Sequence, residues 1–379
     1  MDEKDKILVI GGYGTVGAIV SRQLALRYPS KIIVAGRNKL KAENFIQRKG
    51  LIAKAISLDI ENERFENVNF SEIHTVVNCI ETMNISFILE CIQLNINYTE
   101  VGTSFMTHKR FYEISDYIDN ADCLVIPSVG LVPGLSNIFA FNGAKQFSEV
   151  DEIHTYVMLG LGEAHGVDSI RWMLEKAAST FKIKTKEGSV AVKGFTRPKS
   201  TKLLNEQRER TFYLFDFSDQ HTIPLIVNTE AIDTRIAFDS KVVTYLFSLL
   251  QKVGVSKWYK NLSPKGFKKI LDLAQIGSEQ FGLQTEIKGK DGLGTQWAMK
   301  YLATGKNEAM ATATVTAYTA ELMYLKKGQK GFKHIEEVCD FDELKAYLEK
   351  HNIRILNTND HENDTVQPSR ESGTYETSS

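Results

Sequence analysis

The chain has 379 residues, a hydrophobic content of 42%, a charged content of 25% and a formal net charge of −1. This length exceeds one hydrophobic core of ordinary size, so we expect two domains. The balanced charge gives no reason to expect a nucleic-acid partner, because binding a phosphate backbone needs a basic face. No apolar run approaches the roughly 18 residues of a membrane span, and no signal-peptide pattern opens the chain, so we expect a cytoplasmic protein with no membrane partner.

The cysteines are scattered along the chain, and none belongs to a Cys-x-x-Cys pair. We interpret them as reduced core thiols of a cytosolic protein, so we predict neither disulfides nor a metal site. They are Cys79, Cys91, Cys123 and Cys339.

The first part of the chain alternates short apolar strands with amphipathic helices. One of these helices ends before Pro29, and another is predicted to have Asn84 as its N-cap. Strands that alternate with helices imply a parallel sheet with right-handed crossovers, so the fold class is α/β. The predicted strands are Lys6–Ile10, Lys31–Ala35, Ala53–Leu58, Thr75–Ile80, Asn97–Val101 and Cys123–Pro127.

After about residue 147 this regular alternation ends, and longer strands mix with helices. Asp168 is predicted to cap one helix, and Ser263-Pro264 is predicted to open another. We therefore predict an α+β domain over residues 148–325, and a polar, disordered tail over residues 357–379. The strands predicted here are Glu152–Leu159, a hairpin over Phe181–Lys193 around Glu187-Gly188, Thr211–Phe217, Thr234–Phe238, Gln284–Lys288 and Thr295–Leu302.

A glycine-rich turn follows the first predicted strand and opens a predicted helix. In that context the pattern Gly12-x-Gly14-x-x-Gly17 indicates a dinucleotide-binding fold. Gly12 permits a tight turn, Gly14 lets the backbone approach a pyrophosphate, and Gly17 lets the helix pack against the sheet. The helix N-terminus offers free N–H groups and a partial positive charge to the phosphates. We therefore predict a Rossmann domain over residues 1–147, with cofactor contacts from Gly12, Tyr13, Gly14, Thr15, Val16 and Gly17.

The end of the second predicted strand favours NADP over NAD as the cofactor. NAD enzymes usually carry Asp or Glu there, which binds the ribose 2′-hydroxyl. This strand instead runs into Arg37 and Asn38, and a guanidinium can pair with a 2′-phosphate. We predict NADP with Arg37 and Asn38 at its adenosine end, and NAD is the alternative. An exposed arginine at a helix entry is the competing interpretation of Arg37.

Three further residues lie where strands of a Rossmann sheet end. Asp59 follows the third strand and can accept a hydrogen bond from the adenine amino group, although a simple turn acid explains it nearly as well. Asn78 and Cys79 end the fourth strand, near the switch point where the cofactor crosses the sheet edge. We interpret Cys79 as a small core residue that contacts the cofactor, not as a nucleophile.

Five blocks of the chain follow one another in a characteristic order: Gly11–Gly17, Val76–Cys79, Asn97–Glu100, Ser128–Asn137 and Gly331–Ile353. In this order they resemble the saccharopine dehydrogenase-like family of reductases. The resemblance covers nearly the whole chain, and it is loosest in the middle domain. Glu100 stands where that family commonly has Asp. The Gly-Pro pair that often follows the fourth strand of the family is missing after Cys79.

The resemblance implies a Rossmann domain and an α+β domain that forms the substrate cleft and often a dimer interface, so we expect a homodimer. It implies hydride transfer that forms or breaks the C–N bond of an imine or secondary amine. The implied substrates are amino acids, opines or polyamine precursors. The segment 326–356 is expected to return to the nucleotide domain. The loop Gly130–Asn137 is expected to lie under the nicotinamide, with Val129 and Pro133 as cofactor contacts, unless it only connects the domains.

Hydride chemistry belongs to the cofactor, so the protein must orient the substrate and manage one proton. Tyr98 and Glu100, near the strand ends, are the predicted catalytic residues. Glu100 can act as an acid or base or hold a substrate amine, and a solvated or salt-bridged carboxylate is the alternative. His165 titrates near neutral pH and can shuttle a proton, although a lone loop histidine is more often only exposed.

Substrate contacts are predicted from the second domain. Arg171 or Arg235 can clamp a substrate carboxylate through a bidentate ion pair. Trp172 belongs, with His165, Asp168 and Arg171, to a polar cluster at a loop and helix start, although a core position explains Trp172 better.

Two other functions stay open. One is a carbonyl or enoyl reductase on the same scaffold, but the Tyr-x-x-x-Lys spacing of one common carbonyl-reductase design does not occur in the sequence. The other is a non-catalytic Rossmann protein that senses the nicotinamide redox state or acts as a scaffold. Fold alone does not decide between these functions.

Overall fold

The computed structural model describes residues 4–62, 65, 68–162, 167–252, 277–325 and 328–358. In this part of the chain one sheet consists of β1 Lys6–Ile10, β2 Ile32–Gly36, β3 Ala53–Ser57, β4 Ile73–Asn78, β5 Asn97–Glu100, β6 Leu124–Ile126 and β15 Gly331–Phe332. Its seven strands are all parallel, in the order β15-β6-β5-β4-β1-β2-β3.

Near-continuous apolar runs explain the central strands of this first sheet. Every residue of β2 is buried, as in a parallel sheet that is covered on both faces. Ile10 at the end of β1 lies opposite Ala35 on one side and Asn78 on the other. The chain order reverses between β1 and β4, so their carboxyl ends form the topological switch point of the sheet. The six strands predicted from the sequence are confirmed, with ends shifted by at most two residues.

The helices are α1 Thr15–Arg27, α2 Lys39–Lys49, α3 Ser86–Gln93, α4 Phe105–Glu113, α5 Ser115–Asp119, α6 Ser136–Ala144, α7 Val167–Ala177, α8 Asp219–Thr222, α9 Lys241–Lys252, α10 Glu308–Leu325, α11 Ile335–Val338 and α12 Phe341–Lys350. Some of these helices cover the two faces of the first sheet. Val9 shares a core cluster with Val20 of α1 and Ala317 of α10, whereas Leu8 shares a different core cluster with Phe87 of α3. Among the described helices, none is both long enough and apolar enough to cross a membrane.

A second, mixed sheet follows in the chain. Its strands are β7 Glu149–Leu159, β8 Thr180–Thr185, β9 Gly188–Lys193, β10 Lys199–Thr201, β11 Arg210–Leu214, β12 Ala231–Phe238, β13 Gln280–Lys290, β14 Gln296–Lys306 and β16 Arg354–Asn357. The main order is β10-β11-β12-β7-β13-β14-β16. Among the described pairings of this second sheet, only the β7–β12 pair is parallel.

The predicted hairpin is confirmed, because β8 and β9 pair antiparallel with Thr185 opposite Gly188. The two sheets together confirm the predicted class, an α/β Rossmann-like fold with a second mixed sheet. The helix predicted to open at Ser263-Pro264 lies outside the described residues.

The C-terminal segment joins both sheets. Gly331 pairs with Leu124 and extends the first sheet, whereas Ile355 pairs with Ala303 in the second. The sequence indicated only a return to the nucleotide domain, because a two-residue strand and a four-residue strand carry little periodic signal. Asn357, placed at the start of the tail, is the last residue of β16, so strand pairing extends into that segment.

Candidate functional site

The glycine-rich loop between β1 and α1 forms a compact turn under the start of the helix. Gly11 has φ +69°, the backbone N–H of Gly12 donates to Ala35 O at 3.1 Å, and that of Gly14 donates to Gly11 O at 2.8 Å. Helix α1 begins at Thr15 with no side chain capping its N-terminus and no acidic residue in its first turn. Its first N–H groups and the positive end of its dipole are therefore left to an anion.

The glycines of this loop differ in what they make possible. A Cβ on Gly17 would lie 2.2 Å from Gly11 O, and one on Gly12 would lie 2.8 Å from Val9 O, whereas one on Gly14 would meet Gly11 O at 3.2 Å. Gly17 is thus required for the helix to pack against the loop, as predicted. Gly12 does not supply the left-handed turn, which belongs to Gly11. Gly12 is required because the chain packs closely against β1.

Tyr13 and Asn38 link the loop to the end of β2. A Cβ on Gly36 would come within 2.6 Å of the Tyr13 ring, and the Tyr13 hydroxyl accepts a hydrogen bond from the Asn38 N–H at 3.0 Å. The Asn38 side chain in turn accepts from Lys41 N and caps α2. The Tyr13 and Asn38 side chains therefore hold the glycine-rich loop, the end of β2 and the start of α2 together. Thr15 and Val16 form the first turn of α1.

Arg37 is exposed at the end of β2, and its guanidinium forms no hydrogen bond or ion pair with the described residues. Its carbonyl accepts from Ser57 Oγ at 3.2 Å, which fixes the backbone there. Asp59 uses its two carboxylate oxygens to accept from Glu61 N and Asn62 Nδ2. This is the turn-acid alternative that the sequence left open for Asp59.

The ends of β4 and β5 carry a buried hydrogen-bond chain. Asn78 Nδ2 donates to the Tyr98 hydroxyl at 3.0 Å, and that hydroxyl donates to Glu100 Oε2 at 2.9 Å. Burial raises the pKa of the Tyr98 hydroxyl, so it remains a donor. Burial also raises the pKa of Cys79 to about 12, which leaves a thiol that is no nucleophile.

Arg110 of α4 completes this cluster. Its guanidinium forms an ion pair with Glu100 Oε2 and donates to the Thr82 carbonyl, and both charged side chains are about 95% buried. Burial raises the pKa of Glu100 to about 7, although Arg110 and the Tyr98 hydroxyl pull it down. Sequence reasoning missed Arg110. The available signal was a cation directly before Phe111 on the buried face of a predicted helix.

Three oxygens converge on the open side of Gly102. A Cβ there would lie 3.5 Å from Glu100 Oε1, 3.5 Å from Ser128 Oγ and 3.6 Å from Thr107 Oγ1. Glu100 Oε2 is occupied by Tyr98 and Arg110, whereas none of the described residues donates to Oε1. Glu100 Oε1 is therefore left to accept a hydrogen bond from a donor such as an amine.

The loop 128–137 lies directly against this cluster. The Val129 N–H donates to the Glu100 carbonyl at 2.9 Å, and the Val132–Pro133 peptide bond is cis. Asn137, which ends the loop, donates to Thr222 of α8 and to Glu336 of α11. Val129 thus lies at the carboxyl end of β5, and Asn137 links the loop to α8 and to the C-terminal segment.

Of the residues predicted in the second domain to contact substrate or move a proton, the structure describes the side chains of Arg235 and Trp172. Arg235 is buried, and its guanidinium already forms an ion pair with Asp233 at 2.7 Å, which argues against a role as a carboxylate clamp. The half-buried Trp172 packs its ring against Phe215, in agreement with a core position. His165 lies outside the described residues, and Arg171 lies in α7 with a side chain that is not described.

A second polar group was not predicted. Asp216 accepts from Lys176 Nζ at 2.6 Å and lies 3.2 Å from His221 Nε2, and these contacts lower the pKa of Asp216 against the effect of burial. The His221 ring packs against Phe105 at the start of α4, with the ring centres 5.0 Å apart. This contact joins the second domain to the edge that carries Glu100. Within the described residues, no group of three or more His, Cys, Asp or Glu side chains is arranged to hold a metal.

No protein-family model and no curated protein matches this sequence. Solved structures do match it. Saccharopine dehydrogenase (L-Glu forming) from Saccharomyces cerevisiae aligns with a TM-score of 0.67 at 13% identity, covering 93% of this chain and 100% of that one. This chain shares that fold. The resemblance stated from the sequence is thereby confirmed at the level of the fold.

Two further solved structures align more weakly. A meso-DAPDH mutant from Clostridium tetani E88 aligns with a TM-score of 0.47 at 14% identity, covering 92% of this chain and 99% of that one. A myo-inositol dehydrogenase from Corynebacterium glutamicum ATCC 13032 aligns at 0.43 and 11%, covering 93% and 98%.

Proposed function

We propose that this protein is an NADP-dependent oxidoreductase of the saccharopine dehydrogenase type. In this proposal it transfers hydride at a C–N bond of an amino-acid-like substrate. The observation that carries the proposal is a juxtaposition at the switch point of the first sheet. An uncapped helix N-terminus over a glycine loop lies beside a buried Tyr98–Glu100–Arg110 cluster. Ligands of open α/β sheets bind at this kind of edge.

The residues of the loop fit a dinucleotide. Gly17 can carry no side chain, and the first-turn N–H groups of α1 have no capping side chain, so a pyrophosphate can take their hydrogen bonds. The exposed Arg37 supports NADP, because no carboxylate stands at the end of β2 to accept from a ribose 2′-hydroxyl. When bound, the cofactor supplies the hydride, and the chain supplies binding, orientation and a proton.

Glu100 is the group that we assign to the proton. An acid or base works best with a pKa near the operating pH, and burial raises the pKa of Glu100 to about 7. Tyr98 and Arg110 fix Oε2, which leaves Oε1 facing the point beside Gly102. A substrate nitrogen within hydrogen-bond distance of Oε1 would exchange its proton with it.

Cofactor choice is tested by isothermal titration of NADPH and NADH into the wild type, Arg37→Ala and the control Arg22→Ala. Arg22 is an exposed arginine of α1. We expect Arg37→Ala to weaken NADPH binding by about tenfold or more, equivalent to about 1.4 kcal/mol, because an ion pair with the 2′-phosphate is lost. NADH binding and the control should be unchanged. Equal affinity of the wild type for both nucleotides would contradict the NADP assignment.

Chemistry is tested by following NADPH oxidation with a panel of keto acids combined with amines. Glu100→Gln keeps the shape of the side chain but cannot ionise, so kcat should fall by about 10²-fold or more. Glu113→Gln, on an exposed position of α4, is the matched control. Tight NADPH binding without turnover of any member of the panel would favour a nicotinamide sensor instead.

A further inference from the structure

A line of four polar side chains leads from the loop after β6 to the C-terminal segment. Ser128 Oγ lies 2.7 Å from His108 Nδ1, and His108 Nε2 lies 3.2 Å from the Tyr112 hydroxyl. The same hydroxyl lies 2.8 Å from His334 Nε2. Three consecutive hydrogen bonds thus connect parts of the chain that are far apart in sequence.

The backbone holds these four side chains in position. His108 and Tyr112 are four residues apart on α4, so their side chains share one face of the helix. Ser128 has φ +59°, a conformation that few residues other than glycine adopt. In this conformation its hydroxyl reaches His108. His334 directly precedes α11 and brings the C-terminal segment to the Tyr112 hydroxyl.

Every member of the line is neutral at pH 7. Burial lowers the pKa of His108 to about 3, with a contribution from His334, and burial lowers the pKa of His334 as well. Burial raises the pKa of Tyr112, and the nearby Glu336 and Glu337 raise it further. A neutral imidazole and a hydroxyl each have one donor and at least one acceptor, so every group can take a proton on one side and release one on the other.

The inner end of the line lies beside the candidate proton donor. Ser128 Oγ and Glu100 Oε1 are both 3.5 Å from the same point, the position of a Cβ on Gly102. Both oxygens therefore face the same side of Gly102. At the outer end Tyr112 is half-buried and His334 is 8% exposed.

We propose that Ser128, His108, Tyr112 and His334 form a proton relay that resupplies Glu100 during turnover. The proposal rests on the function proposed above. Reduction of an imine by NADPH consumes one hydride and one proton and gives a secondary amine and NADP⁺. Glu100 gives its proton to the substrate nitrogen and regains one through the relay, and the reverse reaction sends the proton outward. No electrons move along the relay.

Tyr112→Phe isolates the relay from its structural role. The change removes only the hydroxyl that both imidazoles contact, and it keeps the ring that packs against Phe332 with ring centres 5.1 Å apart. Tyr117→Phe is the matched control, because Tyr117 is 46% exposed on α5.

The first measurement does not need a substrate. In protein labelled with ¹⁵N-histidine, we expect ring N–H signals of His108 and His334 that exchange slowly with water. Exchange should become faster in Tyr112→Phe and stay unchanged in Tyr117→Phe. If the wild type shows no protected ring N–H signals, the relay is refuted. NADPH titration and the turnover panel test the proposed function separately, so the relay can fail while NADPH still binds and is oxidised.

The second measurement is turnover of the substrate found in the panel. Tyr112→Phe should lower kcat by about tenfold, or about 1.4 kcal/mol in the barrier, with KM and NADPH affinity unchanged. The lost rate should return in part when imidazole is added, which a purely structural defect would not allow. A Tyr112→Phe enzyme with the wild-type kcat would overturn the proposal.

Discussion

Replacing Glu336 by glutamine tests the energetics of the loop that lies against the candidate site. Glu336 of α11 is 5% exposed, and its Oε1 accepts from Asn137 Nδ2 at 3.2 Å. Burial raises the pKa of Glu336 from 4.5 to about 7, although the Asn137 hydrogen bond opposes the change. A glutamine keeps the shape and can accept the same bond, but it never ionises.

The sign and size of the effect follow from this pKa. The folded protein holds the proton of Glu336 more tightly than the unfolded chain does. The stabilising contribution of Glu336 to the free energy of unfolding is therefore fully present below pH 4.5 and is lost as the pH rises to about 7. A change in pKa from 4.5 to about 7 corresponds to about 3.4 kcal/mol. About 2.5 kcal/mol of this loss falls between pH 5 and pH 8.

The assay is urea unfolding of the wild type, Glu336→Gln and the control Glu349→Gln at pH 5 and pH 8. Other titrating groups cancel in the difference between wild type and variant. From pH 5 to pH 8, the free energy of unfolding of Glu336→Gln should rise by about 2.5 kcal/mol relative to that of the wild type. That of Glu349→Gln, which is exposed on α12, should not change relative to the wild type. A difference that does not change with pH would refute the buried, proton-retaining carboxyl.

Three further predictions concern stability. Arg110→Met leaves the buried Glu100 without its partner, so the free energy of unfolding at pH 8 should fall by about 3–5 kcal/mol; a smaller loss at pH 8 than at pH 5 would contradict this. Asp340→Ala removes the N-cap of α12 and should cost about 1 kcal/mol in urea unfolding, whereas the exposed Asp342→Ala should not. Gly50 has φ +60° with nothing near its Cβ position, so Gly50→Ala should cost about 1 kcal/mol through backbone strain alone; an unchanged melting temperature would be incompatible with that conformation.

Local patterns were enough to predict the nucleotide-binding edge. The strand–turn–helix around Gly12 and Gly17 depends on neighbours in sequence, and the structure contains it as β1, the glycine-rich loop and α1. Asn78 and Glu100 were each predicted at a strand end, and parallel strands bring such ends to one edge of the sheet. The placement of Asn78 and Glu100 at one edge therefore follows from sequence reasoning, whereas the hydrogen bond from Tyr98 and the ion pair with Arg110 do not.

Long-range pairing could not be predicted. Tyr112 and His334 lie 222 positions apart, and nothing in their local sequences indicates that they meet. The ion pair of Arg235 with Asp233 depends on two residues of one strand facing the same side. A period-2 pattern implies that geometry, but an arginine near a predicted cleft also fits a substrate clamp. The role of Gly12 was misread for a similar reason, since its Cβ position also lies 3.0 Å from Val34 Cγ1 of β2, which is a contact with a neighbouring strand.

The central claim is that the loop before α1 binds the pyrophosphate of NADPH, and titration calorimetry of Gly17→Ala tests it most directly. The added methyl would lie 2.2 Å from Gly11 O, so helix and loop must move apart, whereas Gly292→Ala adds a methyl with nothing within 4 Å. We predict that the wild type and Gly292→Ala bind NADPH alike and that Gly17→Ala, still folded by circular dichroism, binds about 100-fold more weakly, a loss of about 2.7 kcal/mol. Equal NADPH affinity in all three proteins, or none in the wild type, would contradict the account.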